Sequence, residues 1–266
     1  MIHLIIALKI IIILVVSFLI TFAAVKSAGY MGVDIKDFKQ RTGTKFLLVA
    51  GFFNLLFIGA VALLLWIMDH KTIGILGWHV DPDDLLFSIA AFILTLVTAY
   101  AFLLVYKNLD IVSFDLPVKK NDRPASSMNL LGYIVLFIAA LQEEVLFRGY
   151  LSTLLTRYGF LTALLISTLI FTLWHFMTNR TNIYQVLDWF IGGALLYYIY
   201  VESNSIWVAS IVHFSRNFTN VIMFDIAGNS PLLRFTKKIR PPFKSLYTLF
   251  ISTFIFLTFL YIYHSI

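Results

Sequence analysis

No cysteine occurs among the 266 residues, which excludes disulfides, thiolate catalysis and zinc sites built on Cys. Charge is scarce as well. Charged residues make up 13% of the chain against 60% hydrophobic ones, and glutamate occurs only at Glu143, Glu144 and Glu202. Soluble domains of this size need far less apolar material to fill a core, so the mean hydropathy of +0.89 implies a polytopic membrane protein. Low-complexity tails, internal repeats and a separate soluble domain are also missing. The longest polar stretches, "PVKKNDRPASS" and "LLRFTKKIRPPFK", have the length of connectors. The second could bind anionic lipid, but a plain cytoplasmic loop is the simpler reading.

What is present is a series of apolar runs. Runs at about 4 to 25, 46 to 68, 85 to 106 and 245 to 264 have the length that spans a ~30 Å hydrocarbon core. Runs at about 128 to 155, 161 to 177, 186 to 201 and 206 to 224 are interrupted by polar residues. Together they predict an all-α bundle of about eight transmembrane helices in a single membrane domain, 1–266. The first run reads as a retained helix rather than a signal peptide, with Lys9 snorkelling or facing protein. The formal net charge of +6 could point to nucleic acid, yet the basic residues lie in short segments between apolar runs. Segments 26 to 45, 107 to 127, 178 to 185 and 225 to 244 hold 15 Lys and Arg, and the alternate connectors about three. That asymmetry predicts cytoplasmic odd-numbered loops with both termini on the far side.

The informative residues are the polar ones inside these runs. "LQEEVLFRGYL", residues 141 to 151, sets two glutamates and an arginine in an otherwise apolar helix, where ionisable groups are costly and mark a functional site by default. Glu144 and Arg148 are four apart with the acid first, so they share a face and can pair. Glu143 is left as the acid free to move protons. The alternative is that the trio neutralises itself and joins helices. "FTLWHF" then supplies His175, and "VHFSRNFTN" supplies His213 and Asn217, four apart and on one face. At 1.5 Å per residue, His213 and Asn217 lie roughly 10 to 18 Å along their helix and His175 roughly 20 Å along its own, so one mid-depth site can hold all of them. Arg216 either borders that cavity or pairs with Asp188. His3, His70, His79 and His264 fall at termini or in loops and carry no expected chemistry. Trp66, Trp78 and Trp207 read as interfacial anchors.

In order, "EEVLFR", "FTLWH" and "HFSRN" give EExxxR, FxxxH and HxxxN on successive membrane helices. This set resembles the CAAX-protease and bacteriocin-processing (CPBP or Abi) family of intramembrane endopeptidases, which includes the Ras-converting enzyme. The resemblance covers about 128 to 224, the expected catalytic core. It implies that Glu143 activates the attacking water with help from His175, that His213 and Asn217 stabilise the oxyanion, and that Glu144 and Arg148 support Glu143. The fold it implies has a core of eight helices.

The activity that the resemblance implies is thus hydrolysis of a peptide bond in a membrane-associated peptide or protein at the cell membrane, and the lack of large loops resembles the small bacterial members of the family, which implies a bacterial plasma membrane. Membrane lipid is the expected surrounding partner, nucleic acid is not expected, and the sequence leaves the oligomeric state open. No cofactor is expected. Zinc is the alternative, since a glutamate with His175 and His213 could supply three ligands and leave a position for water. An asparagine four residues after His213 suits an oxyanion donor better than a zinc ligand, and no HExxH helix is present. Two other function classes fit the composition: a non-catalytic scaffold or bacteriocin-immunity protein that binds a peptide or partner, and a proton-coupled transporter using the glutamates as a relay. The intact motif set argues against the former, and the lack of inverted repeats against the latter.

Overall fold

The computed structural model describes residues 2–35, 37, 40–41, 43–115, 129–177, 182–224 and 233–264; the stretch "PVKKNDRPASS" lies outside them. The described residues form eight long helices: α1 (Ile2–Tyr30), α2 (Thr44–Asp69), α3 (Pro82–Asn108), α4 (Leu130–Glu144, continuing to Leu155), α5 (Phe160–Trp174), α6 (Ile183–Ser203), α7 (Ile206–Ile222) and α8 (Pro241–His264). Short polar residues fix where several of them start. Asn129 accepts from the Gly132 amide at the head of α4, Asn182 from Gln185 at α6, and Ser205 from Val208 at α7. Asp81 and Asp84 form a reciprocal capping box ahead of α3, with Pro82 at its first turn, where a missing amide hydrogen costs nothing.

Six of these helices are long and apolar enough to cross a membrane: α1, α2, α3, α4 extended to Tyr158, α5 extended to Met177, and α8. The all-α polytopic bundle is as expected, but the count of eight spans is not reproduced by length and composition. Helix α7 has only 17 residues, and α6 carries Asp188 and Glu202. A physical reason is visible in the packing. Helix α7 is set against α3, α4 and α6, and its side chains divide between two apolar cores. Ile206 and Ala209 join the core of α1, α2, α4 and α5, while Val208 and Val212 join that of α3, α6 and α8. A helix wrapped by protein has no need of a uniformly apolar surface.

Connectors sort onto two ends. At one, Lys9 pairs with Asp69 and donates to Met68 O, the His3 and Tyr158 side chains hydrogen-bond, and Ile206 N donates to Gly77 O at 2.8 Å. At the other, two short strands, β1 (Ser113–Asp115) and β2 (Arg234–Lys237), pair antiparallel with Phe114 opposite Phe235. The strands lie in connectors expected as plain loops, and at three and four residues they are too short to show a period of two. This arrangement places the α3–α4 and α7–α8 connectors together, as the alternation of loops requires.

Gly77 is where the two connectors of the first end meet. Its φ of +74° is left-handed, and a Cβ there would stand 2.1 Å from Asn204 O. Gly77→Ala should therefore destabilise the protein by about 2–4 kcal/mol, combining backbone strain with overpacking. Gly29→Ala, in open space on α1, serves as the control and should be neutral or slightly stabilising. Equal melting temperatures for the two variants in detergent would contradict the packing of these connectors.

Candidate active site

The site is built around the sequence Glu143–Glu144 at the end of the α-helical part of α4. From Val145 to Leu151 the same helix widens into a π-helical segment in which every residue is buried. Single π turns inside α-helices recur at functional sites. Here the segment carries Arg148, whose side chain is fully buried. Its guanidinium donates to Glu144 Oε1 at 3.1 Å and to Gly193 O at 3.0 Å, and it lies over the Phe171 ring at 4.1 Å. A buried charge is tolerable only with partners of this kind. Gly193 is required for the approach, because a Cβ there would fall 3.0 Å from the Phe171 ring and 3.3 Å from the guanidinium.

Glu144 has a second partner. His213 Nδ1 lies 2.7 Å from Glu144 Oε1, a distance of a charge-assisted hydrogen bond, and the carboxylate accepts from it. That contact turns His213 Nε2 toward Glu143, 3.7 Å from its Oε2. His175 is oriented in a parallel way from another element. Its Nδ1 donates to Phe171 O at 2.9 Å, its ring lies against Trp189 at 4.7 Å between centroids, tilted by 33°, and its Nε2 stands 3.8 Å from the same Glu143 Oε2. Because a carbonyl oxygen can only accept, the hydrogen of a neutral His175 is on Nδ1, leaving Nε2 with a lone pair. Glu143 Oε2 thus faces two imidazoles at distances too long for direct hydrogen bonds, within the span that one water bridges.

A cavity of about 230 Å³ reaches Glu143 and His175. Helices α2 and α4 run parallel along it, as Gly51 lies against Val135 and Tyr150 donates to Asp69 further on. Its walls therefore extend from Phe57 and Glu143 back to Phe46 and Gly132, eleven residues on each helix, or about 16 Å. Helix α1 closes one side with Ile20 and Ala24. Arg41, in the connector ahead of α2, lines the cavity on the side where α2 and α4 begin. Burial draws its pKa down to about 10 against the opposing fields of Asp34 and Asp37, so it remains a cation at neutral pH.

The structure brings Glu143, Glu144, Arg148, His175 and His213 together. Asn217 lies one turn beyond His213 on α7, half-buried, and is not among the residues lining the cavity. Arg216 pairs with Asp188 at 2.9 Å and presses against Gly192, where a Cβ would overlap it; of its two expected roles the structure displays the pairing. Sequence reasoning missed Trp189 and the Gly192–Gly193 pair. Adjacent glycines inside "FIGGALL" cost helix propensity, and that cost was the available signal. Glu143, His175 and His213 do not bring three ligand atoms within 4.8 Å of one another, and among the described residues only His79, Asp81 and Asp84 do. Those three sit at the head of α3, where Asp84 already accepts from the Asp81 amide.

Residues 125–219 match the family model described as type II CAAX prenyl endopeptidase Rce1-like. The matched segment contains all three motifs, so the resemblance read from them is shown by an independent comparison; α1, α2, α3 and α8 lie outside it. No curated protein and no solved structure matches the chain.

Removing one member of the buried pair should expose its dependence. Arg148→Met is expected to cost about 3–5 kcal/mol, since it strands the Glu144 charge. Adding Glu144→Gln to that variant should recover part of the loss. Thermal unfolding of the three proteins in detergent measures this, and an Arg148→Met protein as stable as the unsubstituted one would show that the pair is not buried as described.

Proposed function

We infer that the protein is an intramembrane endopeptidase of the CAAX type, which hydrolyses a peptide bond in a membrane-associated peptide or protein by a water activated between Glu143 and His175. The family match supports the class of activity. The observation that carries the mechanism is the pair of Nε2 atoms at 3.7 and 3.8 Å from Glu143 Oε2, each fixed in direction by the hydrogen bond on its own Nδ1.

In this reading His175 Nε2 accepts one hydrogen of the water and Glu143 Oε2 accepts the other, which points the oxygen lone pair into the cavity. Glu143 takes its proton as the water attacks the scissile carbonyl. The C–O bond forms, the carbonyl electrons move to oxygen, and the negative charge develops on the side of α7. With both nitrogens protonated, His213 donates one hydrogen to Glu144 and the other from Nε2 toward that oxygen. Asn217, on the same face, is the second donor once the substrate is in place. Collapse of the tetrahedral intermediate breaks the C–N bond, and Glu143 delivers its proton to the leaving amine. No covalent intermediate forms. Donors held ready in a water-poor cavity are each worth roughly 3–4 kcal/mol in such a transition state.

The donor set favours a metal-free route. His175 Nε2 and Glu143 Oε2 are placed to orient a water and His213 Nε2 to meet the oxyanion, whereas Glu143, His175 and His213 do not form a group of three ligand atoms within 4.8 Å of one another.

Glu143→Gln should lower peptide cleavage by the purified protein at least 10²-fold while leaving its melting temperature within a degree or two. Asn217→Ala should lower kcat by roughly 10²- to 10³-fold. Both are read by mass spectrometry of products from apolar peptides. Chelator should change nothing. Activity lost to chelator and restored by zinc would replace the metal-free mechanism with a metal-bound one, and full activity in Glu143→Gln would remove the glutamate from it altogether.

A further inference from the structure

Between Arg41 and Glu143 the cavity wall is apolar except for three polar side chains: Thr21 from α1, Asn54 from α2 and Gln142 from α4. Gln142 is only 9% exposed, so its carboxamide is out of bulk solvent and borders the cavity. None of the hydrogen bonds among the described residues uses the side chain of Gln142 or of Asn54. Neither carboxamide is among the buried side-chain atoms cut off without a partner, so both stay open to the cavity, where a ligand that brings complementary groups can bond to them.

The spacing of the two carboxamides suggests what that ligand is. Gly51 lies against Val135, and carrying this register along the parallel helices sets Asn54 level with Ile138, one turn nearer the Arg41 end of the cavity than Gln142. The axial separation is about 6 Å at 1.5 Å per residue. Alternate residues of an extended chain, which face the same way, are about 6.6 Å apart. A carboxamide presents both donors and an acceptor, and so does a peptide group. A hydrocarbon chain presents neither, and an ester offers acceptors only.

Resting on the endopeptidase reading above, we propose that Asn54 and Gln142 form a backbone-reading site that binds an extended peptide with apolar side chains through its main-chain amides and aligns its scissile carbonyl beside Glu143. Side-chain identity is then read weakly, by the apolar walls, and substrate choice rests on an extended, unpaired backbone.

The test uses the full chain in detergent with Glu143→Gln as background, so that bound peptide is not cut. Two probes are compared: a dansylated hexapeptide pool randomised over Ala, Val, Leu, Ile and Phe, and dansyl-undecanoic acid. Asn54→Leu and Gln142→Leu, with Gln142→Met as a second variant of similar volume, should each weaken retention of the peptide pool roughly 5-fold and leave the fatty acid unchanged. Their melting temperatures should hold, because neither carboxamide hydrogen-bonds to the rest of the described protein. Peptide retention unchanged in these variants, retention of both probes falling together, or no binding of the pool to the background protein would each overturn the proposal. Cleavage of the pool by the protein with Glu143 intact is scored separately. Binding that depends on the carboxamides without any cleavage would sink the endopeptidase reading and leave the backbone site standing.

Discussion

A carboxylate buried between a guanidinium and an imidazole is the interaction on which the rest of this structure depends. Glu144 accepts from Arg148 at 3.1 Å and from His213 at 2.7 Å, so one charge ties α4 to α7, while Arg148 extends the tie to α6 through Gly193 O. Three helices from two apolar cores are joined at a point where apolar packing alone could slide. In a bundle whose outer helices are as apolar as the lipid around them, packing supplies little preference for one rotation of a helix over another. A hydrogen-bonded charge does supply one. The catalytic candidates inherit their positions from it: Glu143 precedes the anchored residue, and His213 is itself one of the anchors.

Much of the fold was legible because a membrane imposes length and polarity rules that short sequence windows reveal. The outer helices followed them. Helices α6 and α7 did not, since α7 is packed against three other helices and the apolar run of α6 is broken by Asp188, which pairs with Arg216 of α7. The strands at Ser113 and Arg234 were invisible for a different reason, as pairing between connectors 120 residues apart leaves no local pattern.

At the site, helical spacing sufficed to pair Glu144 with Arg148 and to leave Glu143 apart. It could not reveal that His213 turns one nitrogen to Glu144 and the other to Glu143, because that depends on how α7 is rotated against α4. Nor could it reveal that Asn217, although on the same face, sits outside the wall of the cavity. Of the aromatic supports, Phe171 was marked by its spacing in FxxxH, whereas Trp189 was hidden in an aromatic-rich chain, where it looks no different from a residue facing lipid. Only contact distinguishes Trp189, and only contact shows what Phe171 does. Phe171 serves three partners at once, offering its carbonyl to His175, its ring face to Arg148 and its edge to Phe147.

The π-helical segment from Val145 to Leu151 has a consequence for how this helix can vary. A π turn holds one residue more than an α turn, so it resets the phase between the face bearing the two glutamates and the face bearing Tyr150, whose hydroxyl reaches Asp69. Loss of a single residue inside "VLFRGYL" would let the widened turn close to ordinary α geometry with the helix on either side still in phase. The glutamates and the far anchor would both stay engaged. What would change is the direction in which the residues of the segment itself leave the helix, Arg148 among them.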